Sequence, residues 1–179
     1  MSNSSLRWEA CWLLLTALLA TAGPVRAEIS KPSPLAGLEL VGEARYRVLI
    51  WNLFEARLYS PSGSWGGTPP FALSLTYLRK FRGAHIADRS VSEIRDQGFS
   101  DEDTLARWHG LLQDLIPDVG VDDQIIGVAE ASGATQFYFN GKLIGGIAEP
   151  AFTERFFAIW LGERTSAPEV RLGLIGAQP

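Results

Sequence analysis

The chain is predicted to be an α+β domain, with a largely antiparallel β-sheet and a helical cover. Three observations predict it. Asn140-Gly141 lies between Phe137-Tyr138-Phe139 and Leu143-Ile144, and an Asn-Gly pair between aromatic and β-branched residues is the strongest short-range sign of a type I′ hairpin. An amphipathic helix follows at once, from Pro150 to Gly162. The element order as a whole is strands, two helices, strands, two helices, which segregates helices from sequential hairpins instead of alternating them.

Residues 1–27 have the layout of a secretory signal peptide. Arg7 supplies the positive region, Ala10 to Ala22 is apolar apart from Thr16 and Thr21, and Val25-Arg26-Ala27 is a small-residue cleavage site. Cleavage is expected between Ala27 and Glu28, giving a periplasmic or secreted protein. The apolar run is shorter than the ~20 residues that span a bilayer, so the mature chain is expected to have no transmembrane segment. Residues 28–37, with Pro32 and Pro34, read as an extended leader.

Glu43 to Tyr59 is β-branched and aromatic with arginines interleaved. Alternation puts Tyr46, Val48 and Ile50 on one face and Arg45, Arg47, Leu49 and Trp51 on the other. Asn52 is expected to mark the bend into a second strand, Phe54 to Tyr59. Ser62-Gly63-Ser64-Trp65-Gly66-Gly67 is a loop by composition, whose tryptophan is expected to pack the loop down. Phe71 to Tyr77 alternates cleanly, as a half-buried strand does.

A helix over Ala84 to Gln97 stops at Gly98, and a second opens at Ser100, with Asp103 placed to reciprocate the cap. Leu105, Trp108, Leu112 and Leu115 share its apolar face and Pro117 ends it. A strand over Gln124 to Ala129 leads through Gly133 to the hairpin. A last helix begins near Ala167-Pro168, with proline in its first turn, and fades at Gly176.

Composition removes several function classes. The single cysteine, Cys11, lies inside the apolar leader, so the mature chain has no disulfide framework and depends on packing. The net charge of −4 and the lack of a basic run argue against a nucleic-acid partner. His85 and His109 are the only histidines and neither has a second ligand at metal spacing. There is no nucleophile elbow and no phosphate-binding glycine loop. Asp122 and Asp123 are neighbours that point opposite ways, as in a solvated turn. Arg45 is the remaining candidate. A guanidinium beside apolar surface needs either an internal carboxylate or an anionic ligand, and Arg47 and Arg57 compete with it by the same argument.

Gly42-Glu43-Ala44-Arg45, Leu58-Tyr59, Phe137-Tyr138-Phe139-Asn140-Gly141 and Phe156-Phe157-Ala158-Ile159-Trp160-Leu161-Gly162 occur in that order. In these motifs the chain resembles the chalcone isomerase-like family, and more closely its short exported bacterial branch. The likeness runs from Leu38 to Gly176 and defines a domain over residues 38–179. It implies an open-faced sandwich, an antiparallel sheet covered on one face by helices, with a ligand cleft between the layers. The plant enzymes of this family close chalcones to flavanones by intramolecular Michael addition; other members bind fatty acids without catalysis, an arginine and a tyrosine holding the carboxylate.

The resemblance places Arg45 at the family arginine and Thr153 at the late threonine or serine. Phe54 stands where the enzymes have threonine and the fatty-acid binders tyrosine, so one expected hydrogen-bond donor is absent. Tyr77 with Lys80 is similar to the tyrosine–lysine spacing of the enzymes, with Ala84 where that spacing places asparagine. Loss of one such donor costs an enzyme about 10²–10³ in rate, whereas a binder needs only an apolar cleft and one convergent cation. The expectation is therefore an exported, monomeric or weakly associating, non-catalytic binder of a hydrophobic, fatty-acid-like small molecule. Its ligand-binding residues would be Arg45, Phe54, Tyr77 and Thr153, with no cofactor and no metal. Two alternatives stand beside it: an isomerase of the chalcone isomerase type, and an envelope interaction module whose cleft is only its core.

Overall fold

The computed structural model describes residues 33–177. The expected signal peptide and the first residues of the leader lie outside the described residues. The part of the leader that is described, Pro34 to Gly37, is a turn and not extended chain, closed by Ala36 N–H donating to the Ser33 carbonyl at 2.9 Å.

Six strands form one antiparallel sheet in sequence order: β1 (Glu39–Val48), β2 (Trp51–Ser60), β3 (Phe71–Tyr77), β4 (Gln124–Ala129), β5 (Thr135–Phe139) and β6 (Lys142–Ile147). Helices α1 (Gly83–Asp96) and α2 (Glu102–Leu115) are inserted between β3 and β4. Helices α3 (Pro150–Leu161) and α4 (Pro168–Leu174) follow β6. This is the expected α+β open-faced sandwich.

The hairpin of β5 and β6 turns at Asn140 (φ 47°) and Gly141 (φ 78°), both left-handed, as a type I′ turn requires. The Asn140 side chain adds to it by donating to Asp123 Oδ1 at 2.8 Å, and its Oδ1 accepts from Gln124 N–H. The first hairpin differs from expectation. β1 reaches Val48, and the chain reverses at Leu49 and Ile50, so Asn52 already lies inside β2. Composition pointed to asparagine because it tolerates turns; here cross-strand pairing of Val48 with Trp51 places the reversal earlier. Helix α2 is capped by Asp101, not Ser100: its carboxylate accepts from Thr104 N–H at 3.1 Å and lies below its usual range through that bond.

The core lies between the sheet and the helices. Leu58, Leu73, Phe137, Leu105, Trp108, Phe152 and Leu174 are among its buried members. Trp65 packs edge-on against Phe71 with ring centroids 5.1 Å apart, so its loop is held down on the core. Glu149, just before α3, ties α2 to it by accepting from Trp108 Nε1 at 3.0 Å and pairing with Arg107. Gln97 fastens α1 to α3 through Ala158 O at 3.1 Å.

Candidate functional site

Between the helices and the first half of the sheet lies a cavity of about 590 Å³, within the range of small-molecule sites. Its floor follows from strand register. Tyr46 of β1 pairs with Phe54 of β2, which pairs with Tyr77 of β3, so the three rings form a row on the helix-facing side. Tyr46 stacks on Phe54 at 5.0 Å, Phe54 meets Tyr77 at 6.1 Å, and Tyr77 meets Phe81 at 5.7 Å. Leu112 of α2 and Phe156 and Ile159 of α3 close the far walls, with Ile125 and Phe137 from the sheet. All five are buried.

Three lining residues are exposed: Val48, His85 and Arg89. They mark the mouth, between the end of the first hairpin and α1. Polar groups gather on the α1 wall. Arg89 pairs with Glu93 one turn on, and Glu93 is buried and also accepts from Ser166 Oγ at 2.8 Å. Ser90 Oγ returns to the Ile86 carbonyl at 2.8 Å. Tyr77 is 4% exposed, and burial pushes its phenol above the ordinary tyrosine range. Among the described residues nothing hydrogen-bonds its hydroxyl. A neutral, unpartnered phenol on an apolar cavity wall is a donor held ready for a ligand oxygen.

The structure brings together two of the four residues expected from the sequence. Phe54 and Tyr77 line the cavity. Arg45 does not, because it is one residue along β1 from Tyr46 and so faces the opposite side of the sheet. There it pairs with Glu55, its direct cross-strand partner. Arg57 bonds Glu43 at 3.0 Å in the same row, which raises the guanidinium pKa further. Arg45 thus has the internal carboxylate that the sequence left as the alternative to a ligand.

Thr153 also lies away from the cavity. Its hydroxyl donates to the Gly133 carbonyl at 2.7 Å and accepts from Thr135 Oγ1 at 2.7 Å. Both threonines are buried, so this pair fastens the start of α3 to β5 and the turn before it. Its hydrogen has been given to backbone, which leaves the hydroxyl nothing to donate to a ligand.

Sequence reasoning missed Tyr46, His85, Arg89 and Glu93. A signal for the α1 wall existed. Ile86, Ser90, Glu93 and Gln97 follow one another at helical spacing, and a stripe with three polar residues beside the apolar Ala87, Val91 and Ile94 marks a buried polar wall. Tyr46 was on the correct face by alternation, but alternation does not say which face the helices cover.

No protein-family model matches the chain, and no curated protein sequence does. Among solved structures it is similar to a fatty-acid binding protein of Arabidopsis thaliana, at 12% identity and a TM-score of 0.59, covering 78% of this chain and 87% of the plant protein. That likeness shows the fold: a six-stranded antiparallel open sheet with helices, of the chalcone isomerase-like type.

Proposed function

We propose that the protein binds a fatty-acid-like molecule in this cavity, without catalysis. The observation that carries the reading is an apolar cavity of about 590 Å³ with the Tyr77 hydroxyl, unpartnered among the described residues, on its wall. The fatty-acid binding activity named for the plant protein of the same fold supports it. The acyl chain lies along Phe54, Ile125, Phe137 and Phe156, and the carboxylate sits toward the mouth. Arg89 serves it there, because a guanidinium has five donors and the Glu93 pair leaves others available. The leader-like residues 1–27 support an exported protein, periplasmic or secreted after cleavage at Ala27-Glu28.

The test uses the chain from Glu28 to Pro179, which contains every core residue named above. Native mass spectrometry of protein purified without added lipid looks for a co-purifying mass. Displacement of cis-parinarate by palmitate and by hexadecanol then measures affinity. Palmitate is expected to displace it, and Arg89→Gln is expected to weaken palmitate about tenfold while leaving hexadecanol nearly unchanged. Failure of both lipids to displace the fluorophore, with a clean apo mass, overturns the reading.

A further inference from the structure

The β1–β2 turn carries the most exposed large apolar side chains among the described residues. Leu49 is 88% and Ile50 81% exposed, flanked by Val48 and Trp51. Among the described residues, the core leaves out the Leu49 side chain, and its φ of 54° lies in the region that favours glycine or asparagine. A leucine kept in a disfavoured backbone conformation, and left in water, points to a use outside the domain.

The surroundings of this tip are cationic although the chain carries a net charge of −4. Arg79 lies over the Trp51 ring, 3.9 Å from its centroid. Leu78 N–H donates to the Leu53 carbonyl at 2.9 Å, which holds Arg79 beside the hairpin end, with the exposed Lys80 next in the chain. Arg47 is exposed on the adjoining strand. Among the described residues, none of Arg47, Arg79 and Lys80 forms a salt bridge. Apolar residues with a tryptophan at their base and unpaired cations around them have the chemistry of a peripheral contact with an anionic bilayer. The tip is a convex turn of a few residues.

We infer that Leu49, Ile50 and Trp51 insert into the interface of an anionic lipid membrane, with Arg47, Arg79 and Lys80 meeting the headgroups. Val48 belongs both to this tip and to the cavity mouth, so a docked protein presents its cavity to the bilayer. An acyl chain then passes between membrane and cavity with little exposure to water. The inference rests on the proposed binding function for its purpose but not for its test.

The Glu28–Pro179 chain is floated with vesicles of phosphatidylcholine alone or mixed with phosphatidylglycerol. Wild type is expected to float with the anionic vesicles, and to be released as salt rises. Leu49→Glu combined with Ile50→Glu is expected to lower the floated fraction about tenfold. Arg47→Gln with Arg79→Gln is expected to remove the preference for anionic lipid. None of these residues lines the cavity, so palmitate displacement of cis-parinarate in solution stays unchanged and reports that the variants are folded. Wild type that does not float with anionic vesicles, or a Leu49/Ile50 double variant that floats equally well, overturns the inference. Flotation without palmitate uptake retains the membrane contact and removes the binding function; palmitate uptake without flotation does the reverse.

Discussion

Tyr46 stacks on Phe54 across the first hairpin, ring centroids 5.0 Å apart and planes 20° from parallel. The next residue back along β1, Arg45, pairs with Glu55 on the opposite face. One step of strand alternation therefore separates the cavity floor from a row of surface ion pairs. The sequence motif Ala44-Arg45-Tyr46 contains a cavity residue, and it is the tyrosine.

Arg45→Ala is expected to leave palmitate affinity unchanged within about twofold and to cost at most about 1 kcal/mol of stability, the usual limit for a solvated pair. Isothermal titration and urea unfolding check both. A tenfold loss of affinity would return Arg45 to the site.

Tyr77→Phe separates affinity from pH behaviour. Loss of the ready donor is expected to weaken palmitate by about 1 kcal/mol, the net contribution of one hydrogen bond. Because burial raises the folded-state pKa of Tyr77, the folded protein holds this proton more tightly than the unfolded chain. That contribution is complete below the unfolded value of about 10 and is lost as pH rises beyond it. Wild-type stability should consequently fall more steeply above pH ~10 than that of Tyr77→Phe, as thermal melts across alkaline pH will show.

Thr153→Val removes the donor to the Gly133 carbonyl and strands the Thr135 hydroxyl in the core. The expected cost is about 1–3 kcal/mol in urea unfolding, with Thr153→Ser recovering most of it. Palmitate affinity, measured on the folded fraction, should not change, since neither threonine lines the cavity. Selective loss of affinity in a fully stable Thr153→Val would contradict a structural role.

Gly42 is where α4 meets β1. A Cβ there would overlap the Gly173 carbonyl oxygen and lie 2.7 Å from that of Leu174. These neighbours are backbone and cannot rotate away, so Gly42→Ala should cost at least the 1–3 kcal/mol or so typical of overpacking. Raised hydrogen exchange in α4 would show that this helix is what gives way. An unaltered melting temperature would show that α4 can shift freely.

Much of the fold was legible because its signals are local. Asn140-Gly141 specified its turn through the φ values those two residues accept, and Phe71 to Tyr77 declared a strand by alternation. The site was half legible. Phe54 and Tyr77 were found through a resemblance, while Arg89 and Glu93 went unseen because they looked like an ordinary i,i+4 surface pair until Glu93 proved buried.

By itself, the sequence determined the α+β class, the order of elements and the two faces of each strand, since propensity and periodicity depend on neighbours along the chain. Only the tertiary structure decided which of those faces the helices cover. That choice placed Tyr46 in the cavity and Arg45 outside it, gave the Thr153 hydroxyl to the Gly133 carbonyl, and left Leu49 and Ile50 in water. Each depends on contacts between segments far apart in sequence, where burial and hydrogen-bond satisfaction, and not local preference, select the arrangement.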